Sequence, residues 1–449
     1  MNQPLRIGFV PIARPTFDVA LASEFTELVR GSLHASGWQI SEHRSGELIL
    51  DSEAARQTIE ALRSEPLDLL LILQATFADS SLVVEMAKAI DAPLLLWAIP
   101  EERTGGRLRL NSFCGINLAG HGLRRAGFKY DYVYTHPSDP AALAKIDTLA
   151  RAGRARRLLR SASIGRVGEH PTGFDPCGYD PDELASQLGV SVVPLELSAF
   201  FDRVRVVPAA EAEAVREKVA ARVAGLDQLE QKALRGTMSI YVALHKLAKE
   251  HGLAGLAVRC WPEFFTELGC AACGAMSLRS DEMSPCSCEA DVNGTITQLI
   301  LQWLSEGPAF GTDMVGFDAS RDEAVLWHCG LAPLSMADPA FQPRGTVHSN
   351  RKLPLLMEFP LKPGRVTIAR LSQATGAYRL VVGGGEMLRA PLPFAGTSGV
   401  IRFDRPAAEV LDTIMREGLD HHISITYGDH VAALLALANL LDLPVLRLA

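Results

Sequence analysis

Apolar runs alternate with helical spacing through the first third of the chain. Short apolar strands are predicted at Leu5–Val10, Leu67–Leu73 and Pro93–Ala98, and helical stretches such as Ala54–Leu62 separate them. Strands that are apolar on both faces and alternate with helices are typical of a parallel sheet covered on both sides. The pattern therefore predicts a Rossmann-like α/β domain over residues 1–155.

The same alternation returns in the middle of the chain. Strands are predicted at Ser161–Val167 and Gly255–Cys260, with helical stretches between them, and a further helix begins near Asn293. This order is again the one expected of strands joined by helical crossovers. We predict a second parallel-sheet α/β domain over residues 156–338.

The last quarter of the chain has a different pattern. Short β-like runs at Thr367–Leu371, Tyr378–Val382 and Val400–Phe403 are separated by Gly and Pro turns, which indicates a barrel or a sandwich. Two helical stretches follow. The predicted fold class is therefore α/β, with two Rossmann-like parallel-sheet domains followed by a β-rich C-terminal domain, residues 339–449, with closing helices.

Composition and charge exclude several classes of function. Of the 449 residues 48% are hydrophobic, and the net charge is −8 with both signs interleaved, so we expect no nucleic-acid partner. No apolar run approaches the roughly 20 residues of a membrane helix, and the first residues lack a secretory signal pattern. Eight cysteines in so long a chain are too few for a disulfide framework. These features predict a soluble cytoplasmic protein that does not bind a membrane.

Three short segments place polar residues in apolar surroundings. Glu289 and Asp291 lie before a predicted helix, Asp313 follows Phe310-Gly311-Thr312, and His421 and His422 precede a β-like run. Two carboxylates and a distant imidazole form an open site for a divalent ion such as Mn²⁺ or Mg²⁺. Acidic residues ahead of a helix also cap it without any further function, so both interpretations stay open.

Four of the eight cysteines lie close together in the sequence. They are Cys270, Cys273, Cys286 and Cys288. Paired cysteines of this kind resemble the thiolates of a structural zinc site, but free cysteines are also common small residues of a core. The sequence alone leaves open whether this cluster binds zinc.

The most specific motif lies near the end of the chain. The segment His421–His430, with the sequence HHISITYGDH, is followed by Leu443-Pro444-Val445. It resembles the block of the L-fucose/L-arabinose isomerase family in which a histidine ligand precedes a strand, a helix and a closing strand. The resemblance implies a metal ligand at His422, with Asp420 or the backbone as the group that fixes its tautomer.

The acidic segment supports the same resemblance. The stretch Cys288–Gly294 is similar to the one that carries a catalytic glutamate in fucose isomerases, and the next family carboxylate falls on Asp313. The resemblance implies that Glu289 and Asp313 are both metal ligands and the acid–base pair. Asp291 is the alternative to Glu289 and a candidate substrate contact. His328, where arabinose isomerases have a further histidine, is a reserve ligand or a sugar contact.

Two shorter matches lie in the first predicted domain. The segment Gly115–Gly122, which contains His121, resembles a family segment that reaches the active site of a neighbouring subunit. Gln74 and Thr76 resemble residues near the bound sugar. The resemblance therefore implies a homo-oligomer, a trimer or a hexamer, with its active site at a subunit interface.

The activity implied by the resemblance is metal-dependent aldose–ketose isomerisation of an open-chain sugar through an enediol, with Mn²⁺ or another divalent cation such as Mg²⁺ or Co²⁺. An L-fucose isomerase-like enzyme is the main interpretation. The alternative is an isomerase of an anionic hexose such as sulfoquinovose, which would be converted to 6-deoxy-6-sulfofructose. The resemblance suggests it because the family includes sulfoquinovose isomerases. Basic loop residues that offer an anion site are Arg14, Arg166, Arg344, Arg351 and Lys352. A non-catalytic sugar-binding or regulatory protein is the alternative from another class.

Overall fold

The computed structural model describes residues 4–43 and 47–449, and the chain divides into two compact units, residues 1–158 and 159–449. The boundary predicted at residue 338 falls inside the second unit. In the described part of the chain, no helix is long and apolar enough to cross a membrane.

The first unit is built on a five-stranded parallel sheet with the strand order β2-β1-β3-β4-β5. Its strands are β1 (Arg6–Ile12), β2 (Gln39–Ser41), β3 (Leu69–Gln74), β4 (Leu94–Ala98) and β5 (Asp131–Tyr134). Its helices are α1 (Val19–Ala35), α2 (Ser52–Leu62), α3 (Ser80–Ala89), α4 (Ser112–Arg125) and α5 (Pro140–Leu159). Every residue of β3 and β4 is buried, as expected of central strands covered on both faces.

The second unit opens with a four-stranded parallel sheet in the order β7-β6-β8-β9. The strands are β6 (Ser163–Val167), β7 (Ser191–Leu195), β8 (Gly255–Val258) and β9 (Cys286–Ser287). The helices of this part are α6 (Pro181–Leu188), α7 (Leu197–Arg205), α8 (Ala209–Ala220), α9 (Gln231–His251), α10 (Glu263–Thr266), α11 (Cys273–Asp281) and α12 (Val292–Ser305).

A nine-stranded sheet forms the rest of the second unit, in the order β12-β13-β16-β11-β10-β17-β14-β15-β18. The strands are β10 (Phe310–Asp318), β11 (Glu323–His328), β12 (Arg344–Thr346), β13 (Leu356–Pro360), β14 (Gly364–Ser372), β15 (Arg379–Leu388), β16 (Thr397–Phe403), β17 (His422–Tyr427) and β18 (Val445–Arg447). Helices α13 (Ala407–Glu417) and α14 (Val431–Leu440) accompany it. Strand β15 also pairs with β16. The six strands β16, β11, β10, β17, β14 and β15 therefore close into a barrel.

The predicted fold class is confirmed, since two parallel-sheet α/β parts are followed by a β-rich part with closing helices. Strands β10 and β11 precede residue 338, yet they pair with β17 and β16 beyond it. Strands from both sides of that predicted boundary therefore share one sheet. This barrel carries two of the residues that the sequence marks as metal ligands.

Candidate active site

Strand register brings Asp313 and His422 together although they are far apart in the sequence. They are paired residues of the antiparallel strands β10 and β17, and paired residues of an antiparallel ladder present their side chains to the same face. Asp313 Oδ1 lies 3.6 Å from His422 Nε2. The barrel thus supplies one carboxylate and one imidazole to the same point.

Glu289 reaches this point from a strained turn between β9 and α12. Glu289 and Ala290 both have positive φ, 59° and 55°, within the short 3-10 turn Cys288–Ala290. A left-handed conformation costs a non-glycine residue about 1 kcal/mol or more, and such strain concentrates at functional sites. The Glu289 Oε2 atom lies 3.7 Å from His422 Nε2, so the imidazole nitrogen faces a second carboxylate.

Asp291 fixes the tautomer of His422. Its Oδ2 lies 3.0 Å from His422 Nδ1, and an ionised carboxylate only accepts, so Nδ1 donates and Nε2 keeps its lone pair. Asp291 also caps α12, because its Oδ1 accepts from the Gly294 N–H at 2.8 Å. The helix cap considered from the sequence is present. The expectation that Asp420 or the backbone orients His422 is wrong, because Asp291 occupies that position.

A buried charge network, formed by Asp291, Arg370 and Asp420, lies behind His422. Arg370 donates to Asp291 Oδ2 at 2.6 Å and to Asp420 Oδ1 at 2.9 Å, and all three side chains are buried. Burial would raise the pKa of Asp291, but the Arg370 charge and the His422 hydrogen bond outweigh it and hold this pKa well below its usual range. Asp291 is therefore a permanent anion behind the imidazole.

The two neighbouring histidines differ in exposure and in partners. The side chain of His422 is 9% exposed and that of His421 is 40% exposed, with His421 Nε2 3.2 Å from Glu289 Oε2. Burial would raise the pKa of Glu289, but the His421 hydrogen bond and the neighbouring His422 lower it overall. Glu289 also accepts from Trp261 Nε1 at 3.0 Å. The carboxylate is thus ionised and held from two sides.

Among the described residues, three groups of three potential metal ligands share His422. One adds Glu289 and His421, and another adds Asp313 and His328, so the three ligands predicted from the sequence are divided between these two groups. Asp313 Oδ1 is buried and has no hydrogen-bond partner, although it faces His422. The separations of 3.6 and 3.7 Å from His422 Nε2 are too long for hydrogen bonds but leave room for an ion between the groups. Two carboxylate oxygens and one imidazole nitrogen suit Mn²⁺ or a similar ion and leave coordination positions open.

His328 has the opposite tautomer from His422. Its Nδ1 accepts from the Cys329 backbone N–H at 2.8 Å, so the neutral ring carries its proton on Nε2. The ring is buried, and its centroid lies 5.9 Å from that of His422. His328 is therefore arranged to donate a hydrogen bond rather than to offer a lone pair to a metal.

These groups line one cavity of about 330 Å³. Its lining includes Glu289, Asp313, His328 and His422, together with aromatic side chains and Arg351. Such a volume is in the range of small-molecule sites. The cavity accommodates a small polar ligand against the two carboxylates.

The remaining predicted substrate contacts lie in the first unit. Gln74 ends β3, is fully buried, and has no hydrogen-bond partner for Oε1 or Nε2. Thr76 accepts from the Arg14 N–H at 2.8 Å, and His121 is exposed on α4. The structure therefore groups Glu289, Asp313, His422, His328 and Asp291, and places Gln74, Thr76 and His121 in the other unit.

Sequence reasoning missed two residues that position the site. Trp261 donates to Glu289, and Arg370 donates to Asp291. His421, which the sequence already marked beside His422, also lies against Glu289. The signal for Arg370 is present in the sequence, because it interrupts the apolar run Thr367–Leu371 and a buried charge needs partners. Nothing local marks Trp261 as a partner of Glu289.

The cysteine cluster does not assemble into a zinc site. Cys273 faces Cys329, with the two Sγ atoms 3.4 Å apart, and the Cys286 thiol donates to the Ser284 carbonyl. Among the described residues, no group of three close metal-ligating side chains is drawn from the four clustered cysteines. All eight cysteines are free thiols, and the clustered ones serve as small core residues.

Two family models match the chain. A model described as the N-terminal domain of fucose/sulfoquinovose isomerase matches residues 8–160. A second, described as the C-terminal domain of L-fucose isomerase, matches residues 357–448. The second match covers β17 and therefore His422.

Similar proteins match over nearly their whole length. A sulfoquinovose isomerase from Priestia aryabhattai is 31% identical over 443 residues, which is 98% of each chain. One from Alkalicoccus urumqiensis is 32% identical over 445 residues, 99% of each chain, and one from Clostridium sp. (strain MSTE9) is 30% identical over 443 residues, 98% of each chain. A solved sugar-binding protein from Actinobacillus succinogenes is 11% identical over 57% of this chain and 78% of its own, with a TM-score of 0.17, too low to bear on fold or function.

Proposed function

Given that the chain belongs to the fucose/sulfoquinovose isomerase family and is an aldose–ketose sugar isomerase, we propose that it converts sulfoquinovose into 6-deoxy-6-sulfofructose. The aldose–ketose isomerase predicted from the sequence is confirmed, and the non-catalytic alternative is set aside. The substrate is our proposal. Its support is that relatives about 31% identical over 98% of the chain carry the name sulfoquinovose isomerase.

The proposed reaction depends on a divalent cation, by preference Mn²⁺, held by Glu289, Asp313 and His422. The observation that carries this proposal is that one imidazole nitrogen faces two carboxylates, one of which has a buried oxygen without a partner. When bound, the cation supplies positive charge that stabilises the oxygens on C1 and C2 as they exchange carbonyl and hydroxyl character.

Glu289 and Asp313 are the proposed acid–base pair. Both face the same imidazole nitrogen, and the pKa of Glu289 is held below its ordinary value, so Glu289 enters the reaction as an anion able to accept a proton. One carboxylate removes the C2 proton and returns it to C1, and the other moves the proton between the two oxygens. His328 donates its Nε2–H to a sugar oxygen, because its Nδ1 is already an acceptor.

We further propose a homo-oligomer, a trimer or a hexamer, with residues of the first unit contributing to a neighbour's site. The support is the exposed His121 on α4, in the segment that resembles a family segment reaching a neighbour's active site. Sedimentation velocity tests the assembly directly. A monomer at micromolar concentration with full activity would overturn it. The eight free thiols support a reducing, cytoplasmic location.

The experiment that tests the function is an isomerisation assay on sulfoquinovose, L-fucose and L-arabinose with added Mn²⁺, repeated after chelation. We expect ketose formation from sulfoquinovose that stops on chelation and returns with Mn²⁺. Calorimetric titration with Mn²⁺ alone measures the ion site separately. Turnover that persists without any bound ion would overturn the metal proposal.

L-fucose is the second candidate substrate. It is favoured by the C-terminal match, which is described as L-fucose isomerase and includes the strand that carries His422. In the same assay, a kcat/KM for L-fucose above that for sulfoquinovose would select this candidate. The proposed substrate would then be wrong, while the metal site and the acid–base pair would stand.

A further inference from the structure

One part of the cavity lining holds an arginine against two aromatic rings. The Cζ atom of Arg351 lies 5.0 Å from the ring centroid of Trp261 and 5.0 Å from that of Phe265. We call Arg351, Trp261 and Phe265 the aromatic–arginine wall. Both separations are within the range of cation–π attraction, so the two rings hold the guanidinium in place without neutralising it.

Among the residues that the structure describes, no carboxylate pairs with Arg351. Of the described residues that line the cavity, it is the only arginine or lysine. Its nearest polar partner is His348, whose Nε2 lies 3.3 Å from a guanidinium nitrogen. Burial and the Arg351 charge lower the pKa of His348 to about 4, so this partner is neutral.

A nearby arginine shows the usual arrangement. Arg259 is also partly buried, and it pairs with Glu263 through Nε at 2.9 Å and Nη2 at 2.8 Å. A partly buried cation normally has such a carboxylate, because removing charge from water without a partner is costly. The five N–H donors of Arg351 have no comparable acceptor, which points to an acceptor that arrives with the ligand.

Trp261 connects this wall to the reacting end of the site. Its Nε1 donates to Glu289 Oε1 at 3.0 Å, while its ring face carries the Arg351 guanidinium. The same indole therefore contacts both the carboxylate and the cation, and all three side chains line one cavity. A sugar whose C1 and C2 lie at Glu289 therefore has its far end, C6, available to the guanidinium.

We propose that Arg351 binds the anionic group at C6 of the sugar and selects sulfonated over neutral hexoses. The proposal rests on the proposed function of this site as a sugar isomerase. A guanidinium forms two parallel hydrogen bonds to a tetrahedral oxyanion. One cation matches the single charge of a sulfonate, whereas a phosphate ester carries nearly two charges at neutral pH. Asn350 lines the same cavity and offers a neutral amide donor.

The test compares kcat/KM of the full-length enzyme on sulfoquinovose, 6-deoxyglucose and glucose 6-phosphate. The variants are Arg351→Gln, Arg351→Lys and the matched control Arg344→Gln, which alters an exposed arginine that does not line the cavity. We expect Arg351→Gln to lower kcat/KM for sulfoquinovose by roughly 100-fold, mainly through KM, because a charge-assisted bidentate contact is lost. We expect a smaller loss with Arg351→Lys and no selective change with Arg344→Gln.

Binding of unreactive analogues separates this inference from the proposed function. The hexitols made by reducing sulfoquinovose and 6-deoxyglucose bind without turnover, and we expect Arg351→Gln to weaken only the sulfonated one. Equal losses for both hexitols, or none, would overturn the role of Arg351. A higher kcat/KM for glucose 6-phosphate than for sulfoquinovose would overturn the proposal that the bound anionic group is a sulfonate. If the wild type binds the sulfonated hexitol through Arg351 but does not isomerise sulfoquinovose, the proposed function fails and the anion site stands.

Discussion

Two arginines of the second unit lie near the candidate active site in opposite electrostatic settings. Arg370 is 2% exposed and donates to two buried carboxylates, Asp291 and Asp420. Arg351 is partly exposed, lies between Trp261 and Phe265, and has no carboxylate partner among the described residues. The first charge is compensated within the protein, and the second is left available to a ligand.

The two arginines therefore have different roles. Arg370 helps to position the metal site, and Arg351 is proposed to select the substrate. The buried charge network fixes Asp291, and Asp291 fixes the tautomer of His422, so changes there act on the metal site whatever the sugar is. In the described part of the chain, no hydrogen bond or ion pair joins the aromatic–arginine wall to that network. Changes to Arg351 are therefore expected to act on the choice of substrate, whereas changes to Trp261 also act on Glu289, to which it donates. The following predictions test whether changes to the buried charge network and changes to Arg351 have different effects.

The largest effect is expected at Glu289, which contacts Trp261 of the aromatic–arginine wall and lies near His422. Glu289→Gln keeps the size of the side chain but removes its charge, so we expect kcat to fall about 1,000-fold or more on every sugar tested. The measurement is steady-state turnover, with circular dichroism to verify the fold. Glu306→Gln is the matched control, since Glu306 also has a positive φ, 58°, and lies outside the cavity. A fully active Glu289→Gln enzyme would disprove the acid–base assignment.

The two arginines are compared directly by replacing each with methionine. Arg370→Met leaves Asp291 and Asp420 buried without a counter-charge, and we expect it to lower the free energy of unfolding by about 3–5 kcal/mol. Arg351→Met leaves no buried charge unpaired, and we expect a loss below about 1 kcal/mol, the scale of a half-exposed cation–π contact. Urea denaturation gives both values. Equal losses would mean that Arg351 is a structural residue like Arg370.

Asp291→Asn tests the orientation of His422 without changing the size of the side chain that contacts it. An amide holds the Nδ1–H tautomer of His422 less firmly than a carboxylate, so we expect Mn²⁺ affinity to fall about 10- to 100-fold. Titration calorimetry measures it. Asp180→Asn is the control, because Asp180 also caps a helix, accepting from the backbone N–H groups of Asp182 and Glu183. Unchanged Mn²⁺ binding in Asp291→Asn would show that the tautomer is fixed by other contacts.

A pH-dependent effect is expected from His348, the neutral neighbour of Arg351. Its pKa is lowered to about 4 in the folded state, against about 6.5 in an unfolded chain. Below pH 6.5 the unfolded chain binds a proton that the folded protein does not, so stability falls with pH until about pH 4. Between pH 7 and pH 5 we expect the wild type to lose roughly 1–2 kcal/mol more than His348→Gln. Parallel stability curves for the two proteins would contradict this.

The sequence by itself determined the fold class and the activity. Alternating apolar strands and helices indicated the parallel sheets, because strands buried on both faces must be apolar throughout. The motifs around Glu289 and His422 indicated a sugar isomerase, which the family models and the relatives bear out. The assignment of individual ligands and substrate contacts remains a prediction.

Only the tertiary structure decided which partner each of these residues has. It placed Asp291 rather than Asp420 against His422 Nδ1 and paired Asp313 with His422 through the register of β10 and β17. It also gave Arg351 no carboxylate partner within the described part of the chain. These contacts join residues far apart in the chain. A shift of one residue in strand register would turn Asp313 to the opposite face. Register depends on packing across the whole barrel, and no local pattern in one sequence specifies it.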